Sequence, residues 1–390
     1  MAPSIDIDRL WRMAERKLRL SQPASNDIHV EGLRCLVSAM ECGGGYDVAA
    51  LPLLQRDIFA WILAYLSFAK DQTLHDDAAN IPVNRPLFIV GFGRTGSTLL
   101  HNLLALDAAT RVPLLWELWA PSPPPRPESY ASDARIEAAQ RRLDLLARAA
   151  PLLPQIHPMG AQAPDECNWM MRHTTQKVVL YRVPQYWTWL KRLSVAELYR
   201  LYAHYKLQVQ HLQLFCRGEP WISKAFTHLH YLPVLFDVFP DAKVVRLHRH
   251  PCRSVPSLCS LAAGYRAIYS DRVDRDEIGQ TILDMFVNGM ERSMATDRRH
   301  APQHFIDIHY AELVRDPIGV VRRIYHRFDY PYSPEFENKM RRFIETDRGV
   351  ARQRHIYGLE QFGLSQDEVI DRSADYLAWV KHRDGELADV

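Results

Sequence analysis

The sequence predicts an α/β protein of three layers. A central, mostly parallel sheet is flanked by helices, and a helical segment precedes it. Three observations carry this. Four apolar residues, Leu87 to Val90, run into a glycine-rich turn and then into leucines at helical spacing (Leu99, Leu100, Leu103, Leu104). A second apolar run, "AKVVRLHR", places Val244, Val245 and Leu247 between Pro240 and Pro251, as in a strand covered on both faces. Helical patterns separate these runs, as parallel strands require.

In chain order, residues 1 to about 80 read as helical. In "LLQRDIFAWILAYLSFA", Leu54, Ile58, Trp61, Ile62 and Tyr65 fall on one face, and "CGGG" at 42–45 reads as a loop. This segment is expected to pack on the α/β unit of residues 81–390. The stretch "WELWAPSPPPRPE" carries five prolines and reads as a rigid loop past the first crossover helix. "WIS" (221–223) and "HFIDIHY" (304–310) are further strand candidates. No internal repeat or low-complexity linker divides the chain.

With 47% hydrophobic and 24% charged residues, the composition is that of a water-soluble globular protein. The net charge of +2 implies no global attraction to nucleic acid or anionic membrane, so any anion site must be built locally. Six cysteines lie scattered without metal-ligand spacing, which fits reduced thiols in the cytoplasm. The N-terminus lacks the apolar run of a signal peptide. The most apolar stretch, 58–69, falls short of the roughly 20 residues that span a bilayer, so no transmembrane segment is expected.

The turn "GFGRTGST" (91–98) is the chemical signal. Gly91 and Gly96 have the spacing of a G-x-x-x-x-G-K-[ST] phosphate loop, but Ser97 occupies the lysine position and Arg94 supplies the cation. A glycine-rich strand-to-helix turn aims backbone N–H groups and the positive helix end at one anion. Thr95, Ser97 and Thr98 are expected to add hydroxyls, and Arg94 a permanently charged fork. Without the lysine, and with Asp307 the nearest substitute for a metal-holding acid, magnesium–nucleotide chemistry is disfavoured. A second motif, "RHPCRSVPS", follows the strand at 242–249: Arg249 at its end, Pro251 in the first turn of a helix, Ser257 two turns along.

Together the two motifs resemble the sulfotransferases that use 3′-phosphoadenosine 5′-phosphosulfate (PAPS). In that superfamily R-[ST]-G-[ST]-[ST] holds the 5′-phosphosulfate and R-x-P-x(5)-S the 3′-phosphate. Here they read Arg94-Thr95-Gly96-Ser97-Thr98 and Arg249, Pro251, Ser257. Gly93 stands where many relatives have proline, and His250 where an acid or amide is commoner. The stretches at 85–125, 221–251, 309–317 and 354–364 look like the large bacterial branch, related to the tyrosylprotein type. The resemblance implies a P-loop-like fold and metal-independent transfer, with PAPS as donor and 3′-phosphoadenosine 5′-phosphate (PAP) as product.

The resemblance also implies roles. Glu117 in "LLWELW" takes the position of the general base, and Lys224 in "WISKAF" that of the leaving-group cation, although Phe226 replaces a common proline. His228, the base position in the cytosolic steroid and phenol enzymes, is the rival to Glu117. Arg94 is expected to bridge phosphate and sulfuryl oxygens, and Tyr310 to pack on adenine. Arg352, Arg354, His355 and Tyr357 are expected to close over the nucleotide, without the usual lysine–glycine pair. The acceptor is expected to be a small or lipid-like molecule bearing a hydroxyl, less readily an amine. Candidate linings are "IHPMGAQAPDECNWMMRH", with Asp165, Glu166, Trp169, Met170 and Met171, and "YRVPQYWTWL", with Tyr186, Trp187 and Trp189. Two alternatives stay open on the residues alone: a small-molecule kinase using ATP and magnesium, and a nucleotide-binding relative without turnover.

Overall fold

A computed structural model describes residues 4–20, 27–43, 46–297, 302–348 and 357–384. Four parallel strands form the sheet: β1 (Leu87–Gly91), β2 (Ile222–Lys224), β3 (Lys243–His248) and β4 (Phe305–His309), in the order β2-β1-β3-β4. β1 is central, with Leu87 opposite Ile222 on one side and Lys243 on the other. All five residues of β1 are buried because helices cover both faces. Its side chains alternate accordingly. Phe88 and Val90 enter one apolar core with Val244 and Phe305; Leu87 and Ile89 enter the other with Val245, Leu247 and Ile308.

The chain steps from β1 to β2 on one side, then crosses to β3 on the other. This reversal opens a crevice at the carboxyl end of β1, where ligands of such sheets bind. The β3–β4 pair carries a buried ion cluster. Arg246 stands in register with Asp307 and bonds it through Nε (2.7 Å) and Nη2 (3.0 Å), with Asp297 2.6 Å from Nη1 and His248 Nε2 2.9 Å from Asp307. Asp307, considered as a weak metal-holding acid, is thus committed to the sheet.

The N-terminal segment folds as α1 (Ile7–Leu18), α2 (Ile28–Cys42) and α3 (Leu51–Leu74). Asp6 caps α1 and Asp27 caps α2, each side chain accepting first-turn backbone N–H groups. Leu33, Leu36, Leu54, Ile58 and Ile62 share one core with Phe88 and Val90, so these helices pack directly over the sheet.

The apolar stretch expected at 58–69 lies within α3. Residues Val48–Leu74 form 27 residues of helix whose length and composition suffice to cross a membrane. Its Leu54, Ile58, Trp61, Ile62 and Tyr65 enter the core, which α1 joins through Leu10 and Ala14.

Candidate functional site

The loop after β1 is shaped by two glycines. Gly91 has φ +149° and Gly96, the residue before α4 (Ser97–Leu104), has φ +85°. A Cβ on Gly96 would lie 2.9 Å from Leu313 and 3.2 Å from the Tyr310 ring, so close approach as well as φ requires glycine. Gly93 packs against Leu258 of the Pro251–Arg266 helix. No side chain caps α4, which leaves its first N–H groups directed at the crevice.

Thr95 departs from expectation. Its side chain is buried and its hydroxyl donates to the Phe92 carbonyl (2.9 Å), closing the loop rather than facing a ligand. Ser97 and Thr98 remain half-buried at the helix start.

The two motifs meet. Arg249 Nη1 donates to the Arg94 carbonyl (2.9 Å), and Arg94 Nε donates to Ser257 Oγ (3.2 Å). Arg94 itself has φ +73°, outside ordinary non-glycine backbone. Burial first, then Arg249, pulls its guanidinium below its ordinary value. Tyr310 follows β4 and lies under the Arg249 guanidinium at 4.1 Å. Tyr357 is within electrostatic reach of Arg94. Arg352, Arg354 and His355 lie outside the described residues. His250 accepts the Cys252 N–H (3.3 Å) and so caps the helix that carries Ser257.

Lys224 ends β2 and is buried. Its Nζ lies 3.3 Å from Thr98 Oγ1 and 3.5 Å from Glu166 Oε1. The Cys167 N–H donates to the Lys224 carbonyl (3.0 Å), fixing the Glu166 turn against the strand end. Burial raises the Glu166 carboxyl above its ordinary value against the pull of Lys224, while Asn168 Nδ2 holds the other oxygen (2.6 Å). Asp165 and His157 stand beside this pair; burial drives the His157 imidazole down to about 4, with Asp165 opposing and Lys224 and Arg94 assisting.

Glu117 and His228 are placed otherwise than expected, both buried and engaged with other side chains. Glu117 was expected to point back at the loop mouth. It is instead fully buried, paired through both oxygens with Arg111, and accepts further bonds from Tyr130 Oη (2.9 Å) and the Leu114 N–H (2.8 Å). Arg111, six residues earlier, fills the carboxylate. The pair anchors α5 (Leu115–Trp119), whose Leu115 and Trp116 N–H groups bond the Ala163 and Ala161 carbonyls just before Asp165. Glu117 therefore supports the segment that presents Glu166.

His228 is also sealed in the core. Nδ1 meets Tyr202 Oη at 2.8 Å and Nε2 meets Cys167 Sγ at 3.2 Å, and burial lowers the ring to about 3. Of the candidate lining residues, Met170, Met171, Tyr186 and Trp187 are core, and Trp189 bonds Glu31. Trp169 is half-buried and donates to Asp165 Oδ1 (3.4 Å). Sequence reasoning placed Glu166 only in an acceptor lining. Its available signal was its adjacency to a second acid beside a tryptophan, and nothing local linked it to Lys224, 58 positions on.

Residues 86–334 match the sulfotransferase family. Among curated proteins, the chain is 27% identical over 310 residues to the ω-hydroxy-β-dihydromenaquinone-9 sulfotransferase Stf3 of Mycobacterium bovis, covering 76% of each. Among solved structures it resembles sulfotransferase STF1 of Mycobacterium tuberculosis, with TM-score 0.84 and 26% identity, over 96% of this chain and all of that one. STF9 of Mycobacterium avium shares the fold at TM-score 0.87, 24% identity and 99% coverage of both chains. The match spans the anion loop, Glu166, Lys224 and the Arg249–Ser257 motif, and the chain belongs to the sulfotransferase family.

Proposed function

We propose that the protein transfers the sulfuryl group of PAPS to the hydroxyl of a lipid-like alcohol, with Glu166 as general base. The observation that carries this reading is the joining of the two anion motifs, with Arg249 on the Arg94 carbonyl and Arg94 on Ser257. One elongated ligand with an anion at each end suits that arrangement.

The donor set fits PAPS. Uncapped N–H groups of α4, Arg94, Thr98 and Lys224 would hold the phosphosulfate; Arg249 and Ser257 would hold the 3′-phosphate, with Tyr310 and Tyr357 near the nucleoside. The bound donor supplies an activated sulfuryl group. Glu166, raised by burial and close to Lys224, accepts the proton of the acceptor hydroxyl. Lys224 and Arg94 supply positive charge where negative charge grows on the departing phosphate. The name of the relative Stf3 describes a hydroxylated menaquinone as its substrate, which supports a lipid alcohol here.

The test is thermal shift with PAP, against ATP plus magnesium. At about 100 times its dissociation constant a ligand of the folded state adds roughly 2.7 kcal/mol. A PAP shift that Arg249→Ala abolishes, with radiolabelled PAPS labelling primary alcohols, is expected. An ATP–magnesium shift without a PAP shift would overturn the reading in favour of a kinase.

A further inference from the structure

Trp169 has two polar partners. Its indole N–H reaches Asp165, next to Glu166, and its ring faces Lys177 Nζ at 5.6 Å. Beyond it lies a group of cations. Arg142 of α6 (Ala134–Ala149) lies on Trp119 at 4.4 Å, and Trp119 meets Trp169 edge to face at 5.9 Å. Arg172, 6% exposed, follows the Asn168–Met171 turn with φ +72°, and its Nη2 is enclosed without a partner. Lys177, 9% exposed, has no hydrogen-bond or ion-pair partner among the described residues. Arg142 Nη2 reaches Asp57 at 3.3 Å, while its Nε is likewise enclosed and unpaired.

Of these three cations only Arg142 has a carboxylate within ion-pair distance among the described residues, and that carboxylate, Asp57, is also approached by Arg56 at 3.5 Å. Buried charges are ordinarily paired, because an unpaired one forfeits its hydration without return. Burial, then repulsion from Arg172 and Arg142, presses the Lys177 ammonium down to about 7. Burial and Arg142 likewise bring Arg172 down to about 10. Two fully formed guanidiniums and an ammonium, flanked by two indoles, make a recognition surface for an oxyanion with an apolar stem.

We infer that Arg142, Arg172 and Lys177 form a subsite for an anionic group, carboxylate or phosphate ester, carried by the acceptor, with Trp169 as the wall between this subsite and the transfer centre. The acceptor is then an amphiphile with a hydroxyl at one point and an anion at another. That it is the acceptor which binds there rests on the proposed sulfotransferase site; the anion recognition itself does not.

The test is calorimetric titration of dodecanoate, dodecyl phosphate, dodecanol and inorganic phosphate into the PAP-saturated full chain. At least one amphiphilic anion should bind about tenfold or more tightly than the alcohol, as charge-assisted hydrogen bonds warrant. The tighter of the two identifies the headgroup. The preference should vanish in Lys177→Met and Arg172→Met, persist in Lys177→Arg, and leave dodecanol binding unchanged. Equal binding of alcohol and both anions by the wild type overturns the subsite without recourse to any variant. So does a preference that survives both Met variants. Inorganic phosphate binding as tightly as dodecyl phosphate overturns the assignment to the acceptor. Sulfation of ω-hydroxydodecanoate by the same preparation reports separately on the sulfotransferase reading.

Discussion

Replacing Glu166 by glutamine keeps the shape of the side chain and removes its capacity to take a proton. The turn that carries it stays tied to Lys224 through the Cys167 N–H, so the amide occupies the same place. A positioned base contributes about 10²- to 10⁴-fold, equivalent to roughly 3–5 kcal/mol of barrier. Glu166→Gln should therefore lower kcat by that factor while PAP affinity changes by less than about threefold. Transfer from radiolabelled PAPS to a primary alcohol gives kcat, and thermal shift with PAP gives binding. The wild-type acid limb should lie above the ordinary glutamate value of 4.5, because burial raises the carboxyl and only its ionised form accepts a proton. Glu117→Gln provides the contrast. Removing one partner of a buried pair costs about 3–5 kcal/mol, so the protein should melt earlier while its folded fraction keeps the acid limb. If Glu166→Gln retains kcat within about threefold, or Glu117→Gln abolishes turnover without lowering Tm, the base is not Glu166.

Three further outcomes follow from the same geometry. His228→Gln should cost about 1–3 kcal/mol of stability by denaturant titration through its lost bonds to Tyr202 and Cys167, with kcat nearly unchanged. The wild-type ring, neutral in the fold down to about 3, should make stability decline as pH falls below 6.5, where the unfolded chain takes up the proton first. Asp307→Asn should cost at most about 3–5 kcal/mol, because it removes one of the two carboxylates on Arg246 while Asp297 still holds Nη1. Although burial opposes it, His248 and Arg246 hold the Asp307 carboxyl well below 3.8, so its contribution is present above that pH and lost in acid. In the calorimetric titration, dodecanoate should bind more weakly as pH rises through about 7, as Lys177, facing Arg172, Arg142, Asp57 and Trp169, loses its proton.

The sheet and the position of the two glycine and arginine motifs beside it were legible because their signals are local. An apolar run before a glycine turn is a buried strand and its loop, and Arg249 and Ser257 are joined by a strand end and the first two turns of the Pro251–Arg266 helix. β2 was foreseen as 221–223 and found as Ile222–Lys224, a shift of one residue. The proposed base was not legible for the opposite reason. Whether Glu117 is available depends on Arg111 folding onto it, and whether Glu166 is available depends on a backbone bond to a strand 58 positions later. Thr95 failed similarly: its hydroxyl satisfies a carbonyl three residues back, a competition that sequence spacing does not reveal.

One amide–carbonyl bond, from Cys167 to Lys224, suspends the proposed proton acceptor and the proposed leaving-group cation from a common point. A main-chain tie of this kind does not depend on which side chain stands at 167. Engineering towards other alcohols would then begin at half-buried Trp169, since Asn168 holds Glu166 and Met170, Met171, Tyr186 and Trp187 belong to the core.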